Sequence, residues 1–266
     1  MRNVAMCGAS GRMGRAIVPL LDAAPDLRLS GALAASGDPG LGRDAGLLAG
    51  TGELGVILTD DAARALEGAE VAIDFSLPAA SLVHARLCRA GARAIVIGTT
   101  GHSPAEVEEL RDISGAIPVL MAPNMSLGVN LMFRLAEIAA RALGEEYDAE
   151  VWEAHHRHKV DAPSGTALGL GRAVARGRGV ELEDVAVFER HGAVGPRKAG
   201  SIGFSVVRGG DIVGDHRLVF AGPGEQLEIA HHAQDRSGFA RGAVAAARWV
   251  LGRPPGLYGM ADVLGL

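Results

Sequence analysis

The sequence predicts an α/β protein with an N-terminal parallel sheet and a second, α+β domain built on a mostly antiparallel sheet. Three observations carry that expectation. The first strand-like run leads through a glycine loop straight into a helical pattern. Strand-like and helix-like segments then alternate up to residue 126, which calls for a parallel sheet with right-handed crossovers. After a long amphipathic helix the pattern changes to strand-like runs punctuated by glycine-rich turns. The 266 residues are enough for two domains, and 48% hydrophobic against 21% charged residues supplies a full core.

Residues 3–7 read as a short buried strand, with Cys7 as a small core residue. The strand runs into Gly8, Ala9, Ser10, Gly11, Arg12, Met13 and Gly14, and an apolar helical pattern follows over residues 15–21. Glycines at such a turn let the backbone approach a pyrophosphate, which the helix N-terminus then holds. The spacing is G-x-x-G-x-x-G rather than G-x-G-x-x-G, and an ordinary tight turn is the competing reading. The expectation is a Rossmann-type dinucleotide-binding domain. Residues 27–33 form a second strand. A carboxylate often follows such a strand to hold the ribose 2′-hydroxyl, or an Arg to meet a 2′-phosphate. Here Ala34, Ala35 and Ser36 follow, with Arg12 on the loop and Asp38 a little further on, so the choice stays open.

Residues 69–75 give a strand ending in Asp74, Phe75 and Ser76, and residues 78–90 a helix. The strand at 92–97 ends in Gly98, Thr99, Thr100 and Gly101. Ser103, Pro104 and Glu106 then mark a capped helix start. A strand at 117–121 ends in Ala122, Pro123, Asn124, Met125 and Ser126. All these segments fall at the carboxyl ends of parallel strands, where open α/β sheets bind their ligands. Residues 127–143 carry apolar positions at helical spacing and leave the first domain. In the second half, strand-like runs at 201–208, 212–221 and 226–232 are separated by Gly209-Gly210 and Gly222-Pro223-Gly224, which read as hairpin-like turns. A final helix over 237–251 is free to pack back on the first domain. The domains expected are therefore 1–126 plus 236–266 and 127–235.

The densest chemistry lies at residues 153–167. His155, His156, Arg157, His158 and Lys159 are followed by Asp161, Pro163 and Ser164, and Ser164 suits the N-cap of a helix that opens with Gly165 and Thr166. Cations on one side and free helix amides on the other would receive a small di-acid. A solvated basic loop is the plain alternative. If residues 148–155 are a strand, His155 and His156 share a pocket only where the strand ends or bends between them.

A net charge of −5 argues against general nucleic-acid affinity, and no apolar run is long enough for a membrane span. The N-terminus shows no signal-peptide pattern, so the expected location is cytoplasmic. Neither the two cysteines nor the histidines stand at metal-ligand spacing, and no metal is expected. His231 and His232 read as the end of a strand, His84, His102 and His191 as surface residues, and Trp152 and Trp249 as core.

The run Glu153-Ala154-His155-His156-Arg157-His158-Lys159, with Asp161-Ala162-Pro163-Ser164-Gly165-Thr166-Ala167, resembles the signature of the 4-hydroxy-tetrahydrodipicolinate (dihydrodipicolinate) reductase family, of the diaminopimelate route to lysine. Gly8 through Gly14, Gly98 through Gly101, Ala122 through Ser126, the run Gly210 to His216, Arg236 and Phe239 support it, and the resemblance covers nearly the whole chain. It implies an NAD(P)H-dependent, homotetrameric reductase whose second domain binds substrate and assembles the oligomer. His155 would be the catalytic acid/base and Lys159 a second proton donor. His156, Gly165 and Thr166 would hold the substrate's carboxylates. Gly8, Ala9, Ser10, Gly11, Arg12 and Met13, with Gly98, Thr99 and Thr100 and with Ala122, Pro123, Asn124 and Met125, would line the cofactor. Many members of the family carry an acidic and then a basic residue where Ala34 and Ala35 stand. With Arg12 at hand, that departure favours NADPH slightly over NADH. Two rivals are a semialdehyde-type dehydrogenase, which would need a catalytic Cys, and a non-catalytic NAD(P) sensor, which would leave the His155–Lys159 cluster idle.

Overall fold

A strand buried on both faces sends alternate side chains into two different cores, and Arg2–Cys7 (β1) does so. Val4 and Met6 enter one core while Ala5 and Cys7 enter the other. The computed structural model describes residues 1–266. In order it continues with Arg12–Asp22 (α1), Leu27–Leu33 (β2), Ala45–Ala49 (α2), Leu58–Thr59 (β3), Ala62–Leu66 (α3) and Val71–Asp74 (β4). Pro78–Ala90 (α4), Ala94–Ile97 (β5), Pro104–Ser114 (α5), Pro118–Met121 (β6) and Leu127–Leu143 (α6) follow. The second half contributes Asp148–His155 (β7), Gly165–Arg178 (α7), Leu182–Val185 (α8), Ala186–Val187 (β8), Ile202–Arg208 (β9), Asp215–Gly222 (β10) and Glu225–His232 (β11). Ser237–Val250 (α9), Gly256–Tyr258 (β12) and Met260–Leu264 (α10) close the chain.

These elements form two compact units, residues 1–127 with 236–266, and residues 128–235. The first holds a seven-stranded, all-parallel sheet in the order β12-β6-β5-β4-β1-β2-β3. Ile17, Val18 and Leu21 of α1 and Ala240, Ala243, Ala247 and Val250 of α9 cover one face. Leu66 of α3, Leu82 and Ala85 of α4 and Leu110 and Ile113 of α5 cover the other. The small α2, β3 and α3 lie in the stretch 34–68, where sequence reading assigned no element; five-residue helices and a two-residue strand are too short to leave a period. Asp44 and Asp61 cap the two helices with their carboxylates. At α5 the expected capping box is present, with Ser103 and Glu106 each accepting the other's amide.

The second unit holds a five-stranded mixed sheet, β11-β10-β7-β9-β8. The antiparallel β11-β10 and β10-β7 ladders span more of it than the parallel β7-β9 and β9-β8 ladders. Gly222-Pro223-Gly224 makes the expected hairpin. Gly209-Gly210 does not: β9 and β10 lie on opposite sides of β7, so that link crosses over the central strand. A glycine pair announces a turn but not the neighbour, and here the most buried strand takes the middle. Its apolar face packs Val151, Leu218, Phe220, Ile202 and Phe204 against Leu170, Ala173 and Val174 of α7 and Met132 and Ala136 of α6. The glycines inside α7 are there for packing: a Cβ on Gly171 would lie 2.5 Å from the Phe204 ring. The opposite face is open, with Leu227 43% exposed and Trp152 half-buried under the Arg217 guanidinium rather than in a core. Trp249, too, is half-buried, against Tyr258 and Arg253. No helix is long and apolar enough to cross a membrane.

Candidate functional site

In the second unit β7 stops at His155, and the stop decides the chemistry. Spacing of two on a strand puts Glu153 and His155 on one face. Glu153 is fully buried, and its Oε2 accepts a hydrogen bond from His155 Nδ1 at 2.6 Å. Since a carboxylate can only accept there, Nδ1 carries the proton and Nε2 is left for other work. Nε2 faces Gly214, where a Cβ would sit only 3.0 Å away. Arg208 clamps both oxygens of Glu153 at 2.7 and 2.8 Å, and the Ser164 amide donates to Oε1 at 2.9 Å. One carboxylate therefore joins the His155 ring to the start of α7. Burial opposes its ionisation, but Arg208, His155 and Ser164 outweigh burial and hold the carboxyl below the usual range. Burial pulls the His155 pKa down; Glu153 pushes it up, and the Lys159 and Arg208 charges add to the lowering.

His216 packs edge-on against His155, ring centres 5.1 Å apart, and meets the Ser164 hydroxyl through Nε2 at 3.1 Å. Burial, then the His155 charge, pushes its pKa down to about 4, so it is a neutral ring at ordinary pH. The Ser164 hydroxyl accepts the Ala167 amide and caps α7, as the sequence suggested. Gly165 beside it faces open space and Thr166 is half-buried. After His155 the chain turns: Lys159 donates its amide to the His156 carbonyl and its Nζ pairs with Asp161 Oδ1 at 2.8 Å. His156 is half-buried with its ring 6.3 Å from that of His158. The strand thus ends between His155 and His156, whose rings pair with different partners, His216 and His158 respectively. Glu153 and His155 are buried, whereas Arg157, His158, Val160 and Asp161 of the turn that follows are exposed.

In the first unit the carboxyl ends of the strands line a cleft of about 470 Å³. Gly8 has a left-handed backbone (φ 83°), and a Cβ there would come within 2.2 Å of the Phe75 carbonyl. The cleft is lined by Gly8, Ser10, Gly11, Ala34, Ala35 and Asp38 on one side and by Phe75, Ser76, Leu77 and His84 on the other. Gly11 leads into α1 without a side-chain cap, leaving the helix's first amides for a ligand. Not every expected residue faces this cleft. Ala9, Ala122 and Met125 are buried in the core and Met13 packs partly against it, so any contact they make with a dinucleotide is through backbone. The Thr99 hydroxyl turns inward to Asp74 at 2.5 Å, while Thr100 is exposed. Asn124 Oδ1 accepts the Ser126 amide at 2.8 Å, Pro123 is exposed, and Arg12 is exposed on the loop. Asp38, left open by the sequence, accepts the Ser10 hydroxyl and the Gly40 amide, both at 2.7 Å. Those bonds hold its carboxyl below the usual range.

The N-terminal model of the dihydrodipicolinate reductase family matches residues 2–125, and its C-terminal model matches residues 128–264. The chain belongs to the dihydrodipicolinate reductase family. It is 54% identical over 264 residues to the 4-hydroxy-tetrahydrodipicolinate reductase of Nitrosospira multiformis, covering 99% of this chain and 98% of that one. Identity to the Nitrosomonas europaea reductase is 53% over the same shares. A dipicolinate-bound dihydrodipicolinate reductase from Paenisporosarcina sp. TG-14 superposes with a TM-score of 0.79 over 98% of both chains at 22% identity, a likeness of fold. The family resemblance read from the sequence stands. The reductase is an oxidoreductase that uses NAD(P)H.

Sequence reading gave no role to Glu153, Arg208 or His216. The Glu-x-His spacing on a strand could have singled out Glu153. Nothing in the sequence announces that β10 lays His216 opposite Glu153, or that β9 lays Arg208 beside His155. His84 and His102 were expected at the surface, but His84 is buried against Asp74 and His102 is half-buried; the buried face of α4 carries Ser81 and His84 among Leu82, Ala85 and Cys88. The rival dehydrogenase fails on Cys88, which is buried inside α4 with its thiol pushed up to about 12 by burial.

Proposed function

We propose that the chain reduces 4-hydroxy-tetrahydrodipicolinate to tetrahydrodipicolinate in the diaminopimelate route to lysine, taking the hydride from NAD(P)H. Relatives of that name at 50% identity and above over the whole chain support it. The observation that carries the mechanism is the buried Glu153–His155 dyad beside the open start of α7. The first unit binds the dinucleotide. The second binds the dicarboxylate, with His156 and the Gly165 and Thr166 amides receiving its carboxylates. Loss of the 4-hydroxyl as water gives the conjugated imine, hydride addition to it leaves an electron-rich enamine, and protonated His155 delivers the proton through Nε2. Glu153 fixes that tautomer and steadies the imidazolium. Lys159 adds positive charge beside the carboxylates and serves as a second proton donor.

The cofactor preference follows from opposed charges. An NADPH preference fits the absence of a carboxylate at Ala34 and Ala35 and the nearness of Arg12. Asp38 in the cleft wall supplies a carboxylate after all, which repels a 2′-phosphate and suits a 2′-hydroxyl. The reading is therefore use of both cofactors, with Asp38 drawing the balance toward NADH. The reading also includes a cytoplasmic location, in keeping with two free buried cysteines, and a homotetramer assembled through the second unit. In support of the latter, Val206 and Val207 of β9 and Leu227 of β11 are each about two-fifths exposed.

The test is NADH and NADPH oxidation by purified protein, with substrate generated in situ by the preceding synthase, and native mass alongside. Turnover that collapses in His155→Ala is expected; absence of turnover in folded protein returns the sensor reading. Asp38→Asn is expected to move the kcat/KM ratio several-fold toward NADPH, and an unmoved ratio removes Asp38 from the argument.

A further inference from the structure

Asp74 and His84 take no part in the chemistry above, yet they form a buried pair at the wall of the cofactor cleft. Asp74 ends β4 with no exposure, and His84 reaches across from α4, its Nδ1 donating to Oδ2 at 2.5 Å. The same carboxylate accepts the Thr99 hydroxyl at 2.5 Å, the Ser76 hydroxyl at 2.9 Å and the Ser76 amide at 3.2 Å. Thr99 Oγ1 in turn accepts the Ser76 amide at 2.8 Å. One carboxylate thus ties the ends of β4 and β5 to the flank of α4.

The tie extends to the glycine loop by contact. Phe75, between Asp74 and Ser76, presses its carbonyl against Gly8 and its ring against Gly98, where a Cβ would come within 2.2 and 2.3 Å respectively. Interiors this tight pass a displacement on rather than absorb it. Phe75, Ser76 and His84 themselves line the cleft. A metal site is the competing reading, since Cys7, Asp74 and His84 bring ligand atoms within 4.8 Å of one another. Two facts weigh against it: the carboxylate is already filled by donors, and burial, then the Asp74 charge, pushes the Cys7 thiol well above its usual range. A thiol that keeps its proton is a poor ligand.

We propose that Asp74 and His84 are positioning residues for the cofactor: through Thr99, Ser76 and Phe75 they hold the Gly8 and Gly98 loops in the arrangement that binds the dinucleotide. This rests on the reading of that cleft as the NAD(P)H site.

The experiment is titration of the full chain with NADH, followed by the nucleotide's own fluorescence, for wild type, His84→Leu, His84→Asn and Thr99→Val. KM for NADH, KM for the dicarboxylate and thermal stability are measured alongside. His84→Leu strips a buried carboxylate of its ring donor and is expected to weaken NADH binding about tenfold. KM for NADH should rise equally, with KM for the dicarboxylate unchanged. His84→Asn offers an amide nitrogen close to the place of Nδ1 and should recover most of the loss. Thr99→Val keeps the side chain's shape without its hydroxyl, and is expected to weaken NADH binding several-fold even if His84→Leu does not fold. Folded variants that bind NADH like wild type and lose only stability would overturn the proposal. So would stoichiometric zinc in wild type that disappears with His84→Leu. Wild type that binds neither nucleotide sinks the cofactor reading, and this proposal with it.

Discussion

In the proposed mechanism His155 must carry a proton at the moment of transfer, although burial and two neighbouring cations keep its pKa low. Activity per encounter, kcat/KM, should therefore fall as pH rises through the pKa of the free enzyme. The neighbours give opposite handles on that limb. Glu153→Gln removes a group that raises the His155 pKa, so the limb should move to lower pH. Lys159→Met removes one that lowers it, so the limb should move to higher pH. Shifts in the same direction in the two variants would contradict the assignment. His155→Ala is expected to lower kcat by about 10²–10⁴. His216 makes a separate prediction about stability. Its pKa is about 4 when folded against about 6.5 unfolded, so the unfolded chain takes up the proton first. Stability is then lost as pH falls from about 6.5 toward 4, by about 3 kcal/mol in all. Thermal melts across that window should show the loss, and His216→Asn should flatten it.

Among the elements, α7 does most for the site. Its start carries Gly165 and Thr166, its cap is Ser164, and Ser164 is held from both sides by Glu153 and His216. Ser164→Ala should cost about 1 kcal/mol of stability and raise KM for the dicarboxylate, because the amides meant for its carboxylates lose their anchor. A lower melting temperature with unchanged KM would detach the cap from substrate binding. That helix also marks what the sequence could show. Pro163 and Ser164 predicted its start, and β2 and α4 were found at their observed bounds because apolar runs and turn residues are local signals. The helix α6 also has its expected bounds, but Leu131, Leu135 and Ile138 of its apolar stripe are exposed and Val129, Met132, Ala136 and Ala140 are buried instead. The candidate site was open to sequence reading wherever it was contiguous, as in the His155–Lys159 run and the glycine loop. Arg208 and His216 were not, since strand order in a mixed sheet is settled by which strand buries best. Nor was the Asp74–His84 pair, which joins a strand end to a helix face ten residues on.

At the scale of the molecule, the first unit is written in two pieces around the second. The face of its sheet bearing Val4, Met6 and Val71 is covered by α1 and α9 together, and α9 comes after the whole second unit. A protein is made from one end, so this layout imposes a timetable. The inner unit has its full complement of strands once residue 232 has left the ribosome. The sheet that came first must wait for residues 237–250 before its second face can close. A tethered nascent chain stalled with residues up to 235 outside the ribosome should hold a protease-resistant 128–235 and a cleavable first unit, and resistance should spread to the first unit once residues 237–250 are also outside. Until then the nascent chain carries a sheet with one apolar face only partly covered through the interval in which its neighbour is already folded, and that interval is when holding chaperones are expected to matter most for this protein.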